Sequence, residues 1–451
     1  MPASHGVAPG DNDGMRASRA SLSGLSWLNF LTALMQTGFG AFLAVYLTNQ
    51  NWSRTDIGFA LSAGAAAAMI SQVPGGLLVD WAPVKRLAAA GAVLGIMAAA
   101  VLIAAVPLRW PVYAAQVLQG VAAAVLTPAI AALTLALSRQ ERLGERLGRN
   151  VRFAAIGSAL AAGIMGAVGA WMSLRSVFWL AALCGLPCLL AISRIRSADM
   201  ATVHLRTSHV AAIPARHRTM PPKRVLQVCR DQALLIFAAC VMLFQLGNAA
   251  LLPAAAGALA RAFGRLPDLA LPELGELSPL LAHVRVHSDD LLVAAWILVP
   301  QLLAALLSPW LGRYVQPRGR RLVLLAGFAA MPLRALLFAS DGSPEVTVLY
   351  QALDGISAAV LGVMIPLVVA DITHGGGRFN LAIGIVGLAS GVGGALSTAV
   401  AGVLSDRIGD IGTFLALGGA GAMACVLLLA AMPETHGMPS RAGANARPRP
   451  A

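Results

Sequence analysis

The sequence predicts an all-α membrane protein in which twelve transmembrane helices form two six-helix bundles related by pseudo-symmetry. Three observations carry this. Hydrophobic residues make up 58% of the 451-residue chain and charged residues only 12%, with a mean hydropathy of +0.74. A soluble protein of this size has no means of hiding so much apolar surface, whereas a bilayer demands about 20 apolar residues per helical span. Twelve apolar stretches run between Trp27 and Met432, six on each side of a basic connection, and traces of the first six recur in the second six.

Taken in order, the spans fall at roughly 25–48, 55–80, 86–106, 110–137, 147–171, 174–193, 232–261, 290–315, 320–340, 345–372, 379–404 and 410–432. This divides the chain into a tail (1–24), a first bundle (25–193), a linker (194–231), a second bundle (232–433) and a final tail (434–451). Residues 1–20 are polar, rich in Gly and Pro and without an apolar centre, and so read as a tail rather than a signal peptide. The linker holds Arg194, Arg196, Arg206, Arg216, Arg218, Lys223 and Arg224, with a Pro221-Pro222 pair, and is expected to lie solvated near anionic headgroups. The connection Phe263–Asp290 has leucines in a weakly amphipathic pattern between prolines, which predicts a short surface helix or lid.

The net charge is +13, and its placement decides its meaning. About 25 of the 33 Lys and Arg fall on the side of the two termini and the even-to-odd connections, about seven on the other, and Arg334 lies inside a span. Both termini are therefore expected in the cytoplasm. A nucleic-acid partner would need a basic face with aromatics, and none lies outside these loops. Cys184, Cys188, Cys240 and Cys425 sit in apolar spans and Cys229 at the mouth of the seventh, an odd set that reads as free thiols. No Gly-x-x-x-x-Gly-Lys loop is present, which argues against ATP hydrolysis. His283 and His287, four apart in the outer connection, read as solvated, so no metal or other cofactor is expected.

Two internal echoes support duplication. Gln36-Thr-Gly-Phe-Gly-Ala41 in the first span is answered by Gln245-Leu-Gly-Asn-Ala-Ala250 in the seventh. Gln116-Val-Leu-Gln119-Gly120 in the fourth is answered by Gln351-Ala-Leu-Asp354-Gly355 in the tenth. The fifth and eleventh spans are dense in glycine (Gly157, Gly163, Gly166 and Gly169; Gly384, Gly387, Gly391, Gly393 and Gly394), which lets backbones approach closely where hydrophobicity drives no association.

The loop after the second span reads Gly76-Leu-Leu-Val-Asp80-Trp-Ala-Pro83-Val-Lys85-Arg86, and its counterpart after the eighth reads Gly312-Arg313 followed by Gly319-Arg320-Arg321. The chain ends its last span in Pro433-Glu434-Thr435. In these motifs it resembles the major facilitator superfamily from about Ser26 to Thr435, with departures: Trp81 stands where an arginine is usual, Pro83 where a second glycine is usual, and the second copy has lost the aspartate. Gln116 stands where the superfamily often has a proton-linked arginine, and the fifth span lacks the proline of drug–proton antiporters. Gly377-Arg378-Phe379-Asn380 is similar to a bacterial branch without assigned substrate, which implies a bacterial inner membrane. The resemblance implies a cytoplasmic gate of Gly76, Asp80, Lys85, Arg86, Arg313, Arg320, Arg321 and Arg378. In it Asp80 either meets the N-terminal end of the eleventh span near Gly377–Asn380 or is satisfied by its own loop's Lys85 and Arg86.

If the first, fourth, seventh and tenth spans line a cavity, as the resemblance implies, its polar residues are Gln36, Gln116, Gln119, Gln245, Asn248, Tyr350 and Gln351, with Gln301 beside Pro300. Asp354 is the carboxylate deepest in a span and a candidate proton carrier, and Arg334 lies at a comparable depth, placed either to serve the same site or to close a static ion pair with it. The expectation is a monomeric secondary transporter, not an enzyme, that moves a small organic solute by alternating access, by proton-coupled efflux. Uptake by proton symport is the alternative, and a non-transporting sensor or scaffold is a remote third.

Overall fold

A computed structural model describes residues 18–39, 41–82, 84–200, 230–255, 258, 278–315, 319–340, 344–373 and 378–435, so the far tails and most of the linker, with Cys229, lie outside the described residues. The long helices of the first half are α1 (Arg19–Thr37), α2 (Ala41–Asn49), α3 (Arg54–Trp81), α4 (Lys85–Ala105), α5 (Arg109–Leu137), α6 (Leu143–Trp171) and α7 (Leu174–Ser193). Those of the second half are α8 (Gln232–Asn248), α9 (Ser278–Val315), α10 (Arg320–Ala339), α11 (Pro344–Ile372) and α12 (Phe379–Ala431). Among the described residues no strand occurs, and nine helices are long and apolar enough to cross a membrane. In lipid a helix is the open-chain solution that satisfies each backbone group from within, and this also explains how Pro74, Pro128, Pro187, Pro300, Pro332 and Pro366 are carried inside helices.

Local chemistry sets the ends. The Ser53 and Ser173 hydroxyls accept from the amides of Asp56 and Ser176, and the Asp231 carboxylate accepts from Ala233 and Leu234. Asp199, just past α7, accepts from the Ser18 amide (3.1 Å) and from the Ser18 and Ser21 hydroxyls, tying the start of α1 to the end of the first half. Partial burial pushes its carboxyl up, but these hydrogen bonds and the Arg196 charge outweigh it and hold the group below the usual carboxylate range.

Five spans differ from their sequence reading. The first is interrupted after Thr37, where the amides of Gly38 and Phe39 turn back onto the Gln36 carbonyl. The seventh is interrupted at the equivalent place: Ala249 closes the helix on the Gln245 carbonyl, and the next amide, Ala250, donates to the Ser397 hydroxyl at 3.0 Å. The duplicated Gln-x-Gly segment thus marks a duplicated break. The eleventh and twelfth spans form one helical run bent at Gly409, whose φ of 73° is available to glycine without a Cβ clash. Before the bend the run packs on α3 and α8, and after it Phe414 and Gly418 turn back along α10. The eighth span begins at Ser278 rather than near residue 290, because neither Gly nor Pro interrupts the chain between Leu280 and Val299. The surface helix expected in 263–290 is in part this extension; residues 263–277, and the His283 and His287 side chains, lie outside the described residues.

Packing repeats as the sequence does. In the first half α3 packs on α5, α1 on α6 and α7, and α4 on α5 and α7. In the second half α9 packs on α11, α8 on both parts of α12, and α10 on α11 and the latter part of α12. Each half has its own apolar core, one around Leu25, Ile96 and Phe178, the other around Phe237, Phe328 and Leu367. The outer surface carries Ile70, Leu87, Leu183, Leu306 and Leu322, all exposed, as expected of helices bathed in lipid.

Close helix approach depends on missing side chains. A Cβ at Gly120 of α5 would collide with the Gly64 carbonyl of α3, whereas one at Gly91 of α4 would meet nothing within 4 Å. Gly120→Leu is therefore expected to lower the melting temperature of the purified protein by several degrees, the result of about 1–3 kcal/mol of overpacking. Gly91→Ala is expected to leave it unchanged or raise it slightly. Thermal scanning by fluorescence-detected size exclusion measures both.

Candidate functional site

The halves meet at the basic end of the molecule along two seams related by the repeat, α3 against α12 and α6 against α9. At the first seam the Asp80 carboxylate, at the end of α3, accepts from the Asn380 side-chain amide (2.6 Å) and from the Leu381 backbone amide (2.9 Å). These donors belong to the first turn of α12, where unpaired N–H groups and the helix dipole favour an anion. Lys85 and Arg86 do not satisfy the carboxylate: Lys85 donates to the Val79 and Asp80 carbonyls and Arg86 to the Ile195 carbonyl, within the same half. Gly76 sits one turn below, where a Cβ would collide with the Asn380 carbonyl, and Gly384 is equally tight against Gln72.

At the second seam the contact described is one of backbones. Gly148 of α6 lies against the Ser308 carbonyl of α9 and Gly312 against the Gly144 carbonyl, backbone upon backbone. Arg313 is exposed beside this contact. Arg320 is buried, pairs with Asp371 at 2.9 Å, and gives its backbone amide to Glu434 at 2.7 Å, while the Arg321 amide reaches the same carboxylate at 3.2 Å. Glu434 thereby caps α10 from the far end of the chain. Asp371 also accepts from Gln140 of the first half at 3.2 Å. Arg378 occupies the N-cap position of α12.

The glycines of these seams recur about five turns away on the same helix face: Gly58 with Gly76, Gly166 with Gly148, Gly402 with Gly384. The members at the basic end are pressed against the opposite half. A Cβ at Gly58, Gly166 or Gly402 would meet nothing within 4 Å. Among the described residues the halves are joined at the basic end, while a Cβ on any of these three glycines at the other end would touch neither half.

Between these ends lies the polar centre, concentrated in the second half. Arg334 of α10 is 1% exposed and pairs with Asp354 of α11 at 2.6 Å. It also donates to Gln351 at 3.0 Å and to Asn248, beside the seventh-span break, at 2.7 Å. Asp354 keeps part of its carboxylate open, with 29% of its side chain exposed. Gln245 donates to Ser390 at 3.0 Å, and Tyr350 sets its ring edge-on to Phe338. Across the repeat, Gln116 is buried against Gly64 with its side-chain oxygen unpaired, while Gln36, Gln119 and Gln301 are half-buried outside the Arg334 cluster. Sequence reasoning passed over Gln72, Gln140, Asp371 and Ser390, whose partners are distant in the chain; no local pattern marks them.

A bilayer-spanning pair of repeated bundles, closed at one end around a polar centre, defines a secondary transporter fold. The family model of the Major Facilitator Superfamily matches residues 25–256 and 237–450, and the chain belongs to that superfamily. It is 35% identical over 413 residues to an uncharacterized transporter of this type from Mycobacterium tuberculosis, covering 91% of this chain and 93% of the relative. Among solved structures it is similar to the human organic anion transporter TETRAN (TM-score 0.66, 16% identity, 91% of this chain and 99% of that one). It is also similar to the Escherichia coli fucose:proton symporter FucP (TM-score 0.63, 14% identity, 92% and 99%). At those identities the likeness is one of fold. The protein is an integral, multi-pass membrane transporter.

Two outcomes follow from the geometry. If the pair is static, Arg334→Gln or Asp354→Asn alone leaves an uncompensated charge and should cost about 3–5 kcal/mol, seen as collapsed expression, while the double change should restore the folded yield. Asp80→Asn removes the charge held at the α12 N-terminus and should slow turnover several-fold with substrate affinity largely kept, as read from initial rates in proteoliposomes.

Proposed function

We propose that this chain moves a small organic solute by alternating access, with both termini in the cytoplasm of a bacterial inner membrane, so that the joined basic end is the cytoplasmic gate. The charge asymmetry of the loops supports that orientation. The observation that carries the reading is the glycine register: Gly58 and Gly402 stand open on the faces whose other ends, at Gly76 and Gly384, are tightly joined. A rocking motion that parts the inner seam brings these outer glycines together, and nothing larger than hydrogen obstructs them.

The solute site is the cavity bordered by Asn248, Gln351 and Asp354, with Tyr350, Gln245 and Gln301 on the second half and Gln36, Gln116 and Gln119 on the first. Because Arg334 and Asp354 neutralise each other, the site offers amides and aromatic edges without a net charge clamp, which suits an amphipathic compound and proton-coupled efflux. Proton uptake at Asp354 is the coupling step: the neutral acid releases Arg334, and the two states bind solute differently. The same pair favours a second reading, proton symport, since a released guanidinium in so dry a place needs a replacement anion, which a solute can bring in with the proton.

Two measurements test this. In a background without the native cysteines, Gly58→Cys with Gly402→Cys should cross-link with a short bismaleimide during turnover and then arrest flux. Failure to cross-link under any gradient, in a variant that still transports, would sink the rocking motion. Compound flux in proteoliposomes with imposed pH gradients of either sign reads the direction, and Asp354→Asn should lose gradient-driven transport but keep solute exchange.

A further inference from the structure

The first half carries a second hollow, about 470 Å³, near the end remote from the gate, where α2, α6 and α7 converge. Its lining includes Tyr46, Asn49, Gln50, Gly166, Gly169 and Arg175. None of this belongs to the polar centre of the second half.

Two polar groups stand at the hollow, Arg175 at its mouth and Tyr46 within its wall. Tyr46 is 2% exposed, its ring lies 5.2 Å from that of Phe178, and its hydroxyl has no hydrogen-bond partner. A buried hydroxyl left unpaired is costly, and the ring packing fixes where it points. Arg175 is held by its own backbone contacts: Nε donates to the Ala104 carbonyl and Nη2 to the Ala105 carbonyl at the C-terminal end of α4, where the helix dipole favours a cation. Those bonds fix the guanidinium plane and leave Nη1 without a partner among the described residues. The floor is kept open by glycine, since a Cβ at Gly166 would meet nothing within 4 Å. Among the described residues that line the hollow none is a carboxylate, and the formal charge they bring is that of Arg175.

A pre-set guanidinium N–H beside a buried phenol, with the amides of Asn49 and Gln50 at the rim, complements a group that is negative and accepts several hydrogen bonds at once. The volume admits a small organic molecule rather than a bare ion. We propose that this hollow binds the carboxylate of an ionised organic acid, and that such acids are the solutes this protein handles. Gly166 shares the α6 face of Gly148, the face turned to the opposite half, so the hollow borders the solute path at its outer mouth. Arg175 and Tyr46 hold the anion there before it passes to, or after it leaves, the polar centre. Naming the solute class rests on the transport reading above; binding at the hollow does not.

The test is equilibrium binding to the full-length protein in lipid nanodiscs, with no gradient, followed by ¹⁹F NMR. The probes are 4-fluorobenzoate, its neutral isostere 4-fluorobenzamide and the cation 4-fluorobenzylamine. Benzoate should bind saturably and at least about tenfold more tightly than either analogue. Arg175→Gln should weaken benzoate about tenfold or more. Tyr46→Phe, which keeps the ring against Phe178 and removes the hydroxyl alone, should weaken it about three- to tenfold. If Arg175→Gln fails to fold for want of its α4 contact, Tyr46→Phe decides alone. Equal binding of benzoate and benzamide, or benzoate binding indifferent to Tyr46→Phe, would overturn the site even if the protein proves an active transporter. Tyr46-dependent benzoate binding without flux of any acid would uphold the site and overturn organic acids as the solute class.

Discussion

The whole architecture hangs on backbone-to-backbone contact between helices that have no hydrophobic reason to associate. Lipid tails are as apolar as leucine, so in a bilayer helices hold together by close packing and polar contacts. Here the close packing is supplied by glycine at each junction that matters: Gly120 against Gly64 within a half, Gly76 and Gly384 at one seam, Gly148 and Gly312 at the other. Such contacts are strong when made and weak once slightly parted, which is the mechanical character of a joint that must close fully and also let go.

The polar chemistry is laid over this frame unevenly. The second half concentrates its ionised groups around Arg334 and places them beside the interrupted seventh span. The first half answers with uncharged glutamines at the equivalent positions, and Arg175 stands away from them at the hollow of α2, α6 and α7. The two similar bundles thus differ in charge, one holding the buried Arg334–Asp354 pair and the other amides at the matching positions.

Most of the fold was legible in the sequence because a membrane leaves few alternatives: apolar length gives the spans, and the even split with its echoed Gln-x-Gly segments gives two like halves. The breaks at Gly38 and Ala249 were not legible, since a short interruption hardly alters the apolar average of a span. Nor was the unbroken run through Gly409, because one glycine at φ 73° turns the chain where a loop would be expected. In the site, Asp80 and Asp354 stood out as acids in apolar surroundings. Their partners did not stand out equally: Asn380 lies 300 positions from Asp80, and Tyr46 looks like any aromatic in a span until its unpaired hydroxyl is seen. Composition reports what is buried; only geometry reports what is left without a partner.

The unlikeness of the two inner seams has a mechanical consequence. Dispersion between the bare backbones of α6 and α9 loses a quarter to a half of its strength within about 1 Å of separation. The attraction of the Asp80 carboxylate for the first turn of α12 falls only with the inverse of distance, and in dry surroundings reaches further. Under the rocking motion proposed above, two seams that symmetry would part together would part in sequence, the glycine seam releasing abruptly while the carboxylate seam still pulls. The motion of one half on the other is then a swing about the α3–α12 edge, with its axis displaced from the pseudo-symmetry axis towards the one repeat that kept its aspartate.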